Sequence, residues 1–309
     1  MNKTLRRMLV SLTALGLSLL AGASSAGEPD PRVHSGRATM YQGLHNESLE
    51  AVSTPEAIMA VTKNGIAPTR VWSVLEHGEK VECLSCIPEV GKLLYNSHPK
   101  TREIAAWWLR RRVFGVFGQG QIYSQVVDTL RDTDRPEQER VYAANAIGEF
   151  LSAAGVKHVS HSIIQDPSPL VREASAKALQ RLNSQGTDGE LAAAMLDSAE
   201  IVRLAAVRAA LRINVFTGVE NVLALIGDES PAVRRAAAEA LGTMRVGDAV
   251  GGLMALASSG VETDPAVRQR AIWALGQIAD PAAREVVEAA LDDADPFVRD
   301  AAANALRRL

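Results

Sequence analysis

DPAVRQRAIWAL, residues 264–275, returns 31 residues later as DPFVRDAAANAL, residues 295–306. Upstream stand SPAVRRAAAEAL (230–241), EIVRLAAVRAAL (200–211) and SPLVREASAKAL (168–179). Looser copies carry Arg140 before VYAANAI, Arg102 before EIAAWWL and Arg70 in APTRVWSVLEHG. From Arg70 onward the arginines are 32, 38, 32, 31, 31, 34 and 31 residues apart. Three residues after the arginine comes Ala in six of eight copies, Ser73 and Ser175 being the exceptions. Seven after it comes an apolar residue in every copy except that of Arg70, which has His77. Spacings of three and seven mark one face of an α-helix, with small residues where another helix approaches closely.

Between the arginine helices lie second apolar stretches, such as IPEVGKLLY, IYSQVVDTL, VENVLALIGD and AREVVEAALDD. Each ends at a polar turn, often with Asp followed within four residues by Pro. Pro in the first helical turn sacrifices no hydrogen bond, so this spacing ends one helix and starts the next. A single helix pair cannot bury its apolar face, whereas stacked pairs share one continuous core. The expected fold is therefore all-α: a right-handed α-solenoid of about seven to eight helix pairs across residues 55–309. Composition agrees. The chain is 309 residues long, 47% hydrophobic and only 4% aromatic, too poor in aromatic side chains for an all-β protein.

The D-x-x-P-x-V-R-x-x-A-x-x-A-L pattern, nearly complete in the last four units, resembles the HEAT-repeat family, in particular its short phycobilisome-lyase-like branch. The resemblance covers residues 55–309. It implies that the arginine helices line a concave face. It also implies that Arg102, Arg140, Arg172, Arg203, Arg234, Arg268 and Arg299 form a structural ladder with recurring Asp residues. An arginine fork suits that role, because it can hold turn carbonyls and a carboxylate together. Family members include lyases and hydroxylases, but no His-Glu dipeptide of the iron-binding hydroxylases occurs here. Fold alone assigns no activity.

Lys3, Arg6 and Arg7 precede an apolar run, Met8 to Leu20, and the small residues Ala21 to Ala26. That order reads as a cleaved signal peptide over 1–26, so the protein is expected to be exported, most naturally to a bacterial periplasm. Residues 27–54 lack helical period and read as a flexible arm. The run is short for a bilayer and no later segment is long enough, so no membrane span is expected. The net charge is −3, and removing the signal peptide makes it more negative. Non-specific nucleic-acid binding needs a cationic excess and is not expected.

Cys83 and Cys86 form a CxxC motif at the start of an expected helix. In an exported protein a disulfide is the leading reading; a redox role, a metal site and free thiols stay open. His158 and His161 share a helix face without partner carboxylates at repeat spacing, so no metal, cofactor or catalytic residue is assigned. Nine of the 13 aromatic residues lie between Trp72 and Phe150. Positions two and five after the arginine are expected to face the groove, which places Ile104, Trp107 and Tyr142 there, with Trp273 beside Arg270 further on. Trp107 and Tyr142 stand equally as binding anchors or as filling for a wider core; Phe114, Phe117 and Phe150 read as core. Arg110, Arg111 and Arg112 are placed at the groove rim. The expected function is a non-enzymatic scaffold holding a partner protein or peptide on its concave face. The alternatives are a redox or cofactor-handling accessory protein using the CxxC pair, or a lyase or hydroxylase of the family.

Overall fold

A computed structural model describes residues 51–114, 120–213 and 216–309. The expected signal peptide, residues 27–50 of the expected arm, and Phe117 lie outside the described residues. Eight helix pairs follow one another: α1 (Pro55–Val61) with α2 (Pro68–His77), α3 (Cys86–Lys92) with α4 (Pro99–Leu109), and α5 (Gln121–Arg131) with α6 (Glu137–Phe150). Then come α7 (Val156–Gln165) with α8 (Pro169–Leu182), α9 (Asp188–Ala194) with α10 (Glu200–Arg212), and α11 (Val219–Ala224) with α12 (Pro231–Met244). The last are α13 (Val250–Ala257) with α14 (Pro265–Ile278), and α15 (Arg284–Ala289) with α16 (Pro296–Leu306). Among the described residues there is no β-strand. The protein is an all-α solenoid.

Local chemistry sets the helix ends. Ser168, Ser230, Asp264 and Asp295 cap α8, α12, α14 and α16, each accepting from backbone N–H groups just beyond the proline that follows it. Four of the even-numbered helices, α6, α8, α12 and α14, stop at a residue in the left-handed conformation: Leu151, Asn183, Arg245 and Ala279. The boundary of the arm also shifts. Val52 is buried and the Thr54 side chain caps α1, so the last residues expected in the arm belong to the folded unit.

Each even-numbered helix carries the motif arginine and packs on the next even-numbered helix from α2 to α16. The approach is close enough to exclude side chains. A Cβ on Gly242 would lie 2.7 Å from Ala274 Cα, and one on Gly276 would lie 2.8 Å from Ala305 Cα. The residue before each later arginine (Val171, Val202, Val233, Val267, Val298) is buried, as are Leu179, Leu241 and Leu275 seven after it. The sequence spacing therefore turns directly into one core running along the stack.

Candidate functional site

The motif arginines grip two turns at once. Arg203 donates through one terminal nitrogen to the carbonyls of Asp197 (2.9 Å) and Ser198 (3.2 Å), in the turn leading into its own helix. Its Nε and other terminal nitrogen meet both Asp228 carboxylate oxygens, at 2.7 and 2.9 Å, in the next turn. Arg140 and Asp166, Arg172 and Asp197, Arg234 and Glu262, and Arg268 and Asp293 repeat this fork. Each carboxylate in turn accepts a backbone N–H two residues on, at Ser168, Ala199, Ser230, Asp264 and Asp295. Burial works to raise the carboxyls of Asp197, Asp228 and Glu262, but the arginine and backbone hydrogen bonds outweigh it and hold all three below the usual range. Asp293 is lowered chiefly by the hydrogen bonds from Arg268. The same bonds hold Arg172, Arg203, Arg234 and Arg268 above their ordinary value.

The ladder does not run the whole length. Arg299 keeps the turn carbonyls of Asp293 and Ala294 but meets no carboxylate among the described residues. Arg70 is exposed. Arg102 donates to the carbonyls of Asn96 (2.7 Å) and Ser97 (2.9 Å), and in place of a carboxylate it has the Tyr142 ring, 3.9 Å from guanidinium carbon to centroid. The interruption falls at the 38-residue step, where the extra residues between α4 and α5 also lie.

A hollow of about 350 Å³ opens at this interruption, between α4, α6 and α8. Arg102, Glu103, Tyr142, Asn145, Glu149, Lys177 and Arg181 are among its lining residues. Glu149 is the one buried acid there; Arg110 Nε donates to its backbone carbonyl at 2.6 Å, and Arg181 pairs with its carboxylate. Burial raises the Glu149 carboxyl above its ordinary value despite the opposing pull of Arg181. Cations, an acid, an amide and a stacked phenol ring converge on one concave surface. Such a surface can hold a peptide through directed polar contacts around an aromatic anchor.

Several expected site residues lie elsewhere. Ile104 is buried at 4% exposure, as are its counterparts Ala174, Ala205 and Ala236. Two residues after the arginine, the helix faces the seam with the preceding even-numbered helix rather than the open groove. Small or compact side chains vanish into that seam. Tyr142 is too long to be enclosed there, so its ring lies over Arg102. Trp107 is half-buried against the core, outside the residues that line the hollow. Arg112 is no rim residue: it is buried, stacks 3.7 Å over Trp108 and donates to the carbonyls of Trp108, Glu79 and Val81. Burial, aided by neighbouring Arg111, lowers its guanidinium to about 10. Arg110 braces Glu149, while Arg111 is exposed and pairs with Glu79 at 3.4 Å. Phe114 is partly exposed rather than core, its ring 4.8 Å from that of Tyr123, whereas Phe150 is buried.

Trp273 lines a second hollow, of about 420 Å³, with Arg270, Gln277, Phe297 and Arg308. Cys83 and Cys86 are joined by a disulfide, and both are buried. His158 is buried beside Tyr123, and His161 is exposed. Among the described residues no group of three or more His, Cys, Asp or Glu side chains could hold a metal ion, and no helix is long and apolar enough to cross a membrane. Glu149 escaped sequence reading, although the repeat held a signal. Nine residues after the arginine, the units of Arg102, Arg172, Arg203, Arg234, Arg268 and Arg299 place Arg111, Arg181, Arg212, Thr243, Gln277 and Arg308; apart from Glu149, only the Arg70 unit has an acid there, Glu79.

The HEAT-repeat family model matches residues 123–212, 190–263 and 219–307. The chain belongs to the HEAT-repeat family. No curated protein matches it. Among solved structures, the HEAT-like solenoid is similar to Kap95p, from a complex with RanGDP, at 14% identity and TM-score 0.63, covering 91% of this chain and 44% of that one. It is also similar to the Escherichia coli protein YibA, at 15% identity and TM-score 0.56, covering 86% of this chain and 98% of the other. The Nostoc phycocyanin lyase complex of CpcE and CpcF matches at 20% identity and TM-score 0.40, over 72% of this chain and 93% of that one. At these identities the likeness concerns the fold.

Proposed function

We propose that this HEAT-repeat protein is an exported, non-enzymatic scaffold that holds a segment of a partner protein on its even-numbered helices. The observation that carries the reading is the hollow across α4, α6 and α8, where the ladder gives way and Tyr142 is braced over Arg102. The surrounding ladder is spent on stacking, so binding chemistry concentrates where the ladder is interrupted. Export rests on the signal-like segment of residues 1–26. Burial of the Cys83–Cys86 disulfide favours a stapling role over thiol exchange, which needs access to a sulfur.

The test is a photo-crosslinking residue placed at Asn145, inside the hollow, and separately at Leu196, an exposed residue outside it. In the native host, Asn145 should capture a discrete partner, Leu196 should not, and Tyr142→Ala should abolish the capture with helicity unchanged. Equal capture from both positions, or capture indifferent to Tyr142→Ala, contradicts the placement.

A further inference from the structure

Next to the hollow, α8 and α10 present four exposed cations in two rows: Lys177 and Arg181 on α8, Arg208 and Arg212 on α10. Lys177 and Arg208 both stand five residues after their motif arginine, and Arg181 and Arg212 nine after it. The two helices pack on each other, so the pairs sit side by side. Lys177 pairs with Glu173 at 2.6 Å and Arg181 with Glu149, but Arg208 and Arg212 have no ion-pair partner among the described residues. Cations in a last helical turn answer the helix dipole, which accounts for Arg181 and Arg212. The i,i+4 pair with Glu173 accounts for Lys177, but nothing of the kind accounts for Arg208 in the middle of α10, nor for its like charge four residues on at Arg212, which repels it. The excess is local, because the whole chain carries −3. Half-buried Leu204 and Leu211 lie on α10 beside Arg208 and Arg212.

We propose that this face, continuing the hollow at Tyr142, binds a short acidic segment of a partner protein, with carboxylates on Lys177, Arg181, Arg208 and Arg212 and apolar side chains on Leu204 and Leu211. This rests on the scaffold reading and specifies the partner's chemistry. Guanidinium forks suit carboxylates in pairs. Three neighbouring helices at about 10 Å separation span roughly 20 Å, which about six extended residues cover. Four cations on a net-negative protein release too few counterions to favour a nucleic acid.

The probe is a fluorescein-labelled peptide of alternating Glu and Leu, about 16 residues long to exceed that span. Its controls are the matching Lys/Leu peptide and single-stranded oligothymidine. The Glu/Leu peptide should bind the intact protein, weaken as salt rises from about 50 to about 300 mM, and lose affinity by about tenfold or more in Arg208→Glu/Arg212→Glu. Circular dichroism of that variant should match the parent. Equal binding of the Lys/Leu peptide, equal competition by oligothymidine, or unchanged affinity in the charge-reversed protein overturns the inference. If the Glu/Leu peptide fails to bind while the Asn145 cross-link persists, the acidic segment falls and the scaffold reading survives. Loss of the cross-link's dependence on Tyr142 removes the scaffold reading itself.

Discussion

From α6 to α14 each motif arginine reaches a carboxylate in the next turn; before α6 none does among the described residues. Arg70 is exposed, and Arg102 lies over Tyr142. The early units are held by different means. Trp72 donates to Thr101 Oγ1 at 2.9 Å, Trp108 donates to the Gly78 carbonyl at 2.9 Å, Arg112 ties three carbonyls, and the Cys83–Cys86 disulfide staples the start of α3. One region repeats a single polar solution; the other uses individual side chains. An arginine that recurs in every unit and is fully used in stacking has no donor left for a partner, so the units that abandon the rule become the places to seek recognition.

Acid should separate the regions most strongly. The carboxyls of Asp197, Asp228, Glu262 and Asp293 are lower in the folded protein than in an unfolded chain. Their stabilisation is therefore complete above the ordinary carboxylate range and is lost as pH falls through the depressed folded values. Glu149 has the opposite sign: its raised value means that its contribution weakens as pH rises through that value. Acid titration followed by hydrogen exchange should open α8 to α16 while leaving α1 to α4 closed to lower pH. Simultaneous opening would break the comparison.

Arg203→Ala comes next. The Asp228 carboxylate would stay buried without its partner, at a cost of about 3–5 kcal/mol. Arg299→Ala, which removes carbonyl contacts at an exposed end, should cost under about 1 kcal/mol. Urea unfolding of both variants compares them, and equal losses would deny the ladder its role. Gly242→Ala should cost about 1–3 kcal/mol, because the new Cβ meets the Ala274 backbone. Gly251→Ala, with open space around it, should be neutral or gain up to about 1 kcal/mol from helix propensity.

The solenoid was legible because the arginine spacing and the small residues three positions later are stacking requirements written into every unit. Even the 34-residue step leaves the ladder intact, since Glu262 reaches Arg234 from a longer turn. Orientation within a unit was less legible. Arg110, Arg111 and Arg112 follow the last residue of α4 in a turn, where no helical period sets their directions, and only packing shows that the third one turns inward over Trp108. Ile104 is buried rather than groove-facing for a related reason: the seam between neighbouring helices, rather than the helix's own period, decides what remains exposed.

The most direct test of the central claim, that the interruption between Arg102 and Arg140 divides the molecule, is hydrogen exchange measured across a denaturant series, with and without reduction of the disulfide. Two cooperative units should part at the turn between α5 and α6, with reduction of Cys83–Cys86 loosening only α1 to α4. One shared transition across α1 to α16, lowered throughout by reduction, would contradict it.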